Sequence, residues 1–109
     1  MTKQMMLLRI YTDERAYSGD RKVFELVAER ARDAQLAGAT VVEAMLGFGR
    51  SAHMHRRHIL ESERSILIEI VDEDSNLRTF MAGLRDLSGI GLMTLEKVEV
   101  VTPAEDPPE

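Results

Sequence analysis

The sequence predicts an α+β fold in the order βαββαβ. Three observations carry that prediction. Four segments, near residues 5–11, 40–48, 65–71 and 92–101, alternate side chains with the two-residue period of a half-buried strand. Two segments between them repeat apolar residues at helical spacing. The elements run strand–helix–strand twice, around one strand-to-strand link. Two right-handed crossovers interleaved in this way close into a ferredoxin-like sandwich. Its four-stranded antiparallel sheet has the expected order 4-1-3-2, with both helices on one face.

The first strand spans Met5 to Tyr11, with Met6, Leu8 and Ile10 on one face and Leu7, Arg9 and Tyr11 on the other. Thr12 to Gly19 reads as a polar loop. Asp20 is the expected N-cap of a helix reaching about Leu36, because a short acceptor side chain satisfies free helical N–H groups. Val23, Leu26, Val27, Ala31 and Ala34 form its apolar stripe, and Gly38 suits the left-handed residue that closes it. The second strand is expected over Thr40 to Phe48, with Val41, Glu43 and Met45 sharing a face. A basic loop follows from about Gly49 to Arg64. Ser65 to Val71 is the third strand, where Ile66, Ile68 and Ile70 oppose Leu67, Glu69 and Val71. Asp72-Glu-Asp-Ser opens the second helix with acidic groups at its positive end. Leu77, Phe80, Met81, Leu84 and Leu87 form its apolar side, and Gly89 and Gly91 end it. Leu92 to Val101 is the fourth strand. Residues 1–102 thus form one domain, and 103–109, a polar run with three prolines, is expected to be a disordered tail.

The sheet face away from the helices is expected to carry Leu7, Arg9, Tyr11, Val41, Glu43, Met45, Leu67, Glu69 and Val71. So many large apolar side chains mark an interaction surface. Packing against copies of the same face is the expectation, with Arg9 paired to Glu43 and Glu69; a half-wet face in a monomer is the alternative.

Composition narrows the function. The 109 residues carry a formal net charge of -5 and no cysteine, so disulfides and thiolate metal sites are excluded. The acidic balance argues against general nucleic-acid binding, which rests on neutralising phosphates with Lys and Arg. No apolar run approaches the roughly 20 residues of a membrane span. The reading is a soluble cytoplasmic domain. RNA recognition shares the βαββαβ order but needs stacking aromatics that Ile66-Leu-Ile-Glu-Ile70 lacks.

Against this acidic body, His53, His55 and His58 cluster with Arg50, Arg56 and Arg57 in the run Gly47-Phe-Gly-Arg-Ser-Ala-His-Met-His-Arg-Arg-His-Ile. Gly47 and Gly49 permit positive φ or close backbone approach. With the Ser51 hydroxyl and the Arg50 guanidinium they form a candidate anion site; a plain strand-ending turn is the rival reading. His55, Arg56, Arg57 and Arg64 suit phosphate or carboxylate groups. The three histidines also form a candidate metal site. Their arginine neighbours repel a cation, and no carboxylate orients the rings before Glu61 and Glu63, so solvated loop histidines compete with that reading. No spacing supports a catalytic triad or a carboxylate pair, and His55 with Ser51 lacks an orienting group. The expectation is not an enzyme.

Leu7-Leu-Arg-Ile-Tyr11, Ala37-Gly-Ala-Thr-Val41, Gly47-Phe-Gly49, Ile68-Glu-Ile-Val-Asp72 and Gly91-Leu-Met-Thr-Leu-Glu-Lys-Val98 together carry a resemblance. Over about residues 5–101 the chain resembles the PII-like proteins of a bacterial family, the domain of unknown function numbered one hundred and ninety. The resemblance implies a homotrimer with its sheets lining the centre. It also implies small effectors such as adenine nucleotides in clefts between subunits, and a loop between strands 2 and 3 that reports to a partner, often a membrane transporter or channel. The chain departs from the PII pattern in three places. Its long loop lacks the tyrosine that some PII proteins modify. Ser88-Gly-Ile-Gly91 is too short for the PII phosphate loop and has no lysine. Val101-Thr-Pro-Ala-Glu-Asp is acidic where PII proteins place basic residues.

The functional expectation is a PII-like signalling protein. It binds a small anionic effector, with an adenine nucleotide as candidate, through Gly47, Phe48, Gly49, Arg50, Ser51, His55 and Arg56, and it signals through the 50–64 loop. An oligomeric interaction module without a ligand, and a metal-binding trimer using His53, His55 and His58, are the alternatives.

Overall fold

The structure, a computed structural model, describes residues 2–44 and 65–101. Strand β1 (Thr2–Asp13) is followed by a small hairpin, β2 (Tyr17–Ser18) and β3 (Arg21–Lys22), and by helix α1 (Val23–Asp33). Strand β4 (Thr40–Glu43) precedes β5 (Ser65–Asp72), helix α2 (Asp74–Ala82) and β6 (Leu92–Val101). The main sheet has the order β4-β5-β1-β6, with every neighbour antiparallel. This is the expected ferredoxin-like arrangement.

The alternation in β1 and β5 decides which face is covered. Leu8, Ile10, Ile66, Ile68 and Ile70 are buried against Val23, Val27 and Ala31 of α1 and Leu77 and Phe80 of α2. Each of these large side chains contributes about 1.5–3 kcal/mol on leaving water, which offsets the ordering of the chain.

Three helix boundaries differ from expectation, each for a local reason. Asp20 is not the N-cap of α1. It lies with Gly19 in the two-residue loop between Ser18 and Arg21, where Gly19 takes φ 68°. Glycine at that loop position matches the twist of a tight hairpin. The helix therefore starts later, and the Val23 amide donates to Ala16 O at 2.9 Å. At the other end of α1, Gln35 takes the left-handed conformation (φ 61°) that was expected of Gly38. The Leu36 amide donates to Ala31 O and the Gln35 amide to Arg32 O. Those two bonds make the Schellman closure that glycine usually fills. Helix α2 stops at Ala82 rather than at Gly89, and successive tight turns carry the chain on from Gly83. Leu84 and Leu87 remain buried because these turns keep an apolar side chain facing the sheet every third or fourth residue.

The tail from Pro103 and the far part of the expected second strand, Met45 to Phe48, lie outside the described residues.

Candidate functional site

The uncovered face of the sheet is built in rows that the strand register defines. Val42, Leu67, Tyr11 and Leu92 form one apolar row across all four strands. Thr40, Glu69, Arg9 and Thr94 form the polar row beside it. Val71, Leu7 and Glu96 come next, followed by Met5 and Val98. Val42 is 43% exposed and Leu92 55%, so the apolar row faces solvent in a single protomer.

This corrects the expected membership of the face. The register pairs Val41 with Ile68 and Glu43 with Ile66, which places both on the helix side. Thr40 and Val42 take the positions expected of Val41 and Glu43. A one-residue change of parity flips every side chain of a strand. The adjacent Val41 and Val42 give no alternation to read, and that is how the parity was missed. Arg9 consequently does not pair with Glu43. Its Nη1 donates to Glu96 Oε1 at 2.8 Å and its Nε to Glu69 Oε2 at 3.3 Å. The hydrogen bond to Glu96, then that to Glu69, raises the Arg9 pKa above its ordinary value.

One end of this sheet gathers two of the connections. The Ala44 amide donates to Ser65 O at 2.8 Å, and Ser65 lies opposite Asp13 at the end of β1. Segment 45–64 leaves and rejoins the fold there. The α2–β6 connection meets β1 at the same end. Thr12 Oγ1 donates to Gly89 O at 2.7 Å, and the Gly91 amide donates to Tyr11 O at 2.8 Å. Gly89 has φ 90°, and a Cβ built on it would stand 2.8 Å from Ala16 Cβ. Two backbone groups of this connection are thus committed to β1. That agrees with the departure of Ser88-Gly-Ile-Gly91 from a phosphate-cradling loop.

At the opposite end, the buried Asp72 ties two elements together. Its Oδ2 accepts from the Ala37 amide at 2.8 Å, and its Oδ1 accepts from the Glu73 amide at 2.7 Å and Asn76 Nδ2 at 2.8 Å. It links the approach to β4 with the start of α2. Arg30 makes a second link: it donates to both oxygens of Asp86 at 2.8 Å and to Gly83 O at 2.9 Å. This pairing lowers the Asp86 carboxyl to about 2. A cleft of about 500 Å³ lies between the helices, lined by Arg30, Gln35, Leu36, Asn76, Thr79 and Phe80 among others. It is on the covered side of the sheet, away from the open face.

The sequence matches the DUF190 family (Uncharacterized ACR, COG1993) over residues 5–100. The chain belongs to this family. It is 34% identical over 97 residues to a UPF0166 protein of Aquifex aeolicus (strain VF5), covering 87% of this chain and 91% of that one. Among solved structures it is similar to CPII from Thiomonas intermedia K12 bound to ADP, AMP and acetate, with a TM-score of 0.70 at 16% identity over 94% of each chain. It is also similar to CPII, a nitrogen regulatory PII-like protein, bound to ADP, AMP and bicarbonate. There the TM-score is 0.67 at 18% identity, over 94% of this chain and 99% of that one. At that identity the match establishes the PII-like fold.

Two of the DUF190 stretches seen in the sequence now have a physical reason. Ala37–Val41 and Ile68–Asp72 are joined by the Ala37 amide to Asp72 carboxylate bond. The sequence marks Asp72 as an acidic helix start, but gives no signal of its reach to Ala37. Nor does it signal the Arg30–Asp86 pair. The ligand-binding candidates Gly47, Phe48, Gly49, Arg50, Ser51, His55 and Arg56, and the metal candidates His53, His55 and His58, lie outside the described residues. Among the described residues, no group of three or more His, Asp or Glu side chains is placed to hold a metal ion, and no helix is long and apolar enough to cross a membrane.

Proposed function

We propose that this DUF190 protein is a PII-like regulatory protein rather than an enzyme. It assembles as a homotrimer through the open sheet faces. A small anionic effector, an adenine nucleotide by preference, binds in the clefts between subunits. Gly47, Phe48, Gly49, Arg50, Ser51, His55 and Arg56 supply backbone amides, a hydroxyl and positive charge to it. Segment 50–64 then signals the bound state to a partner. A cytoplasmic protein contacting a membrane transporter or channel is the arrangement that the family resemblance implies.

The observation that carries this reading is the position of the open face. Its apolar row, Val42–Leu67–Tyr11–Leu92, lies at the end of the sheet from which segment 45–64 departs. Copies that bury this row bring the root of that segment to a subunit boundary. The fold likeness to CPII bound to ADP, AMP and acetate supports the choice of ligand. The short α2–β6 connection, bonded to β1, moves the burden of holding phosphate onto the Gly47–Ser51 run.

A thermal-shift screen of the full chain against ADP, AMP, ATP and small anions tests the reading. A ligand at about a hundred times its Kd stabilises the native state by about 2.7 kcal/mol. The expected outcome is a rise in Tm with an adenine nucleotide that Arg50→Ala removes. A flat screen across all compounds contradicts it and favours the ligand-free interaction module.

A further inference from the structure

Strand β5 ends at Asp72, opposite Met6, but β1 and β6 continue for four more residue pairs, down to Thr2 and Val101. They form a two-stranded ribbon projecting past the sheet. Its side chains reverse the pattern of the body. On the face continuous with the open face stand Met5, Val98 and Val100, all half-buried, with Lys3 opposite Val100; on the helix-side face stand Gln4 and Glu99, both exposed, with Thr2 and Val101 at the tip. None of the three apolar residues belongs to the core or packs against it. A ribbon of two strands with no covered face is marginal in water. Its apolar side therefore calls for a partner surface.

We infer that this ribbon is an arm whose apolar face seats on the open sheet face of a second copy of the chain. The inference rests on the self-association proposed above and names the part of the protomer that completes it. The apolar side runs from Leu7 through Met5 and Val98 to Val100, with Lys3 beside Val100 at its outer end, so a copy packed on the body of the sheet continues onto the ribbon. Area points the same way. At the usual strand spacing and rise, the four-stranded body offers about 420 Å² of flat surface. That is about half of the ~800 Å² per partner of a stable interface. The ribbon adds about 130 Å² by the same measure. Arg9, Glu69 and Glu96, in the body of the open face, are already paired within the protomer, and the register puts Lys3 and Asp13 at the two ends of this face. Between them lie the apolar side chains Met5, Val98 and Val100 of the ribbon toward one end and the Val42–Leu67–Tyr11–Leu92 row toward the other.

The chain has no cysteine, so an introduced one is a unique attachment point. Nitroxide labels are placed on Val98→Cys and, on the opposite face of the ribbon, on Glu99→Cys. Spectra are recorded for the full-length assembly and for a Leu67→Glu background that breaks the body contact. The expected result is a label at 98 immobilised in the assembly and mobile in the Leu67→Glu background, with the label at 99 mobile in both. Unlabelled Val98→Glu, checked for folding by circular dichroism, is expected to raise the assembly's dissociation constant at least about tenfold, and Glu99→Lys to leave it unchanged. A wild-type assembly in which the label at 98 is as mobile as in the Leu67→Glu background overturns the arm and leaves the sheet-face reading standing. A monomeric wild type overturns both.

Discussion

Replacing Gly89 by alanine tests whether the α2–β6 connection is pinned to β1 as described. The new methyl group meets two independent penalties. The first is conformational: φ 90° lies where an L side chain is strained, at about 1–2 kcal/mol. The second is steric: the built Cβ is 2.8 Å from Ala16 Cβ and 3.4 Å from Val23 Cγ2, and such overpacking costs about 1–3 kcal/mol. Alanine also restricts the unfolded chain, which returns about 0.4–1 kcal/mol. The net loss is about 1–5 kcal/mol, or about 4–22 °C in Tm for a domain of this size. Urea unfolding followed by circular dichroism measures it. Ala16→Gly removes the opposing methyl, so the double variant recovers the steric part and keeps the conformational part. A Gly89→Ala protein within about 0.5 kcal/mol of wild type refutes the reasoning. So does a double-mutant cycle with no coupling between positions 16 and 89.

Other predictions follow from single contacts. Gln35→Gly relieves the left-handed strain at the end of α1 and is expected to raise stability by about 0.5–1 kcal/mol in denaturant unfolding. Asp72→Ala strips the Ala37 and Glu73 amides of their acceptor and is expected to cost about 2–4 kcal/mol, with faster amide exchange at both positions. The Asp86 carboxyl is held at about 2, below its ordinary 3.8, by the Arg30 hydrogen bond. A depressed acid stabilises the fold above its unfolded value and loses that stabilisation as pH falls through the folded one. Thermal unfolding between pH 4 and pH 2 should therefore fall less steeply in Asp86→Asn than in wild type.

Residues whose environment follows from alternation or periodicity were legible in the sequence. Ile66, Ile68 and Ile70 announce a strand with one buried face, and Leu77 and Phe80 announce a helix side, while Leu84 and Leu87 are buried as their spacing foretells but from the turns after the helix. Sheet order followed from connectivity alone. What escaped depended on relations between distant segments or on atypical residues. Val41 and Val42 are both apolar, so only pairing with β5 sets their parity. Gln35 is an unusual left-handed residue, and the nearby Gly38 drew the expectation away from it. The Gly19–Asp20 turn carries both hairpin and helix-cap chemistry, and the hairpin wins because Ser18 and Arg21 pair. The Arg9–Glu96 bond crosses from β1 to β6, 87 residues apart in sequence. Of the candidate site, the open face was legible in outline, from the odd-numbered residues of β1 and β5. The Gly47–Arg56 candidates rest on residue chemistry and family resemblance, since local periodicity says nothing about a loop.

Sedimentation equilibrium of the full chain at micromolar concentration tests most directly whether copies of the protein cover the open sheet face. The expected mass is three times that of the 12.3 kDa protomer, falling to one protomer in Leu67→Glu. A wild-type protein that sediments as a single 12.3 kDa species contradicts the account, because no boundary between subunits would then exist for an effector to occupy.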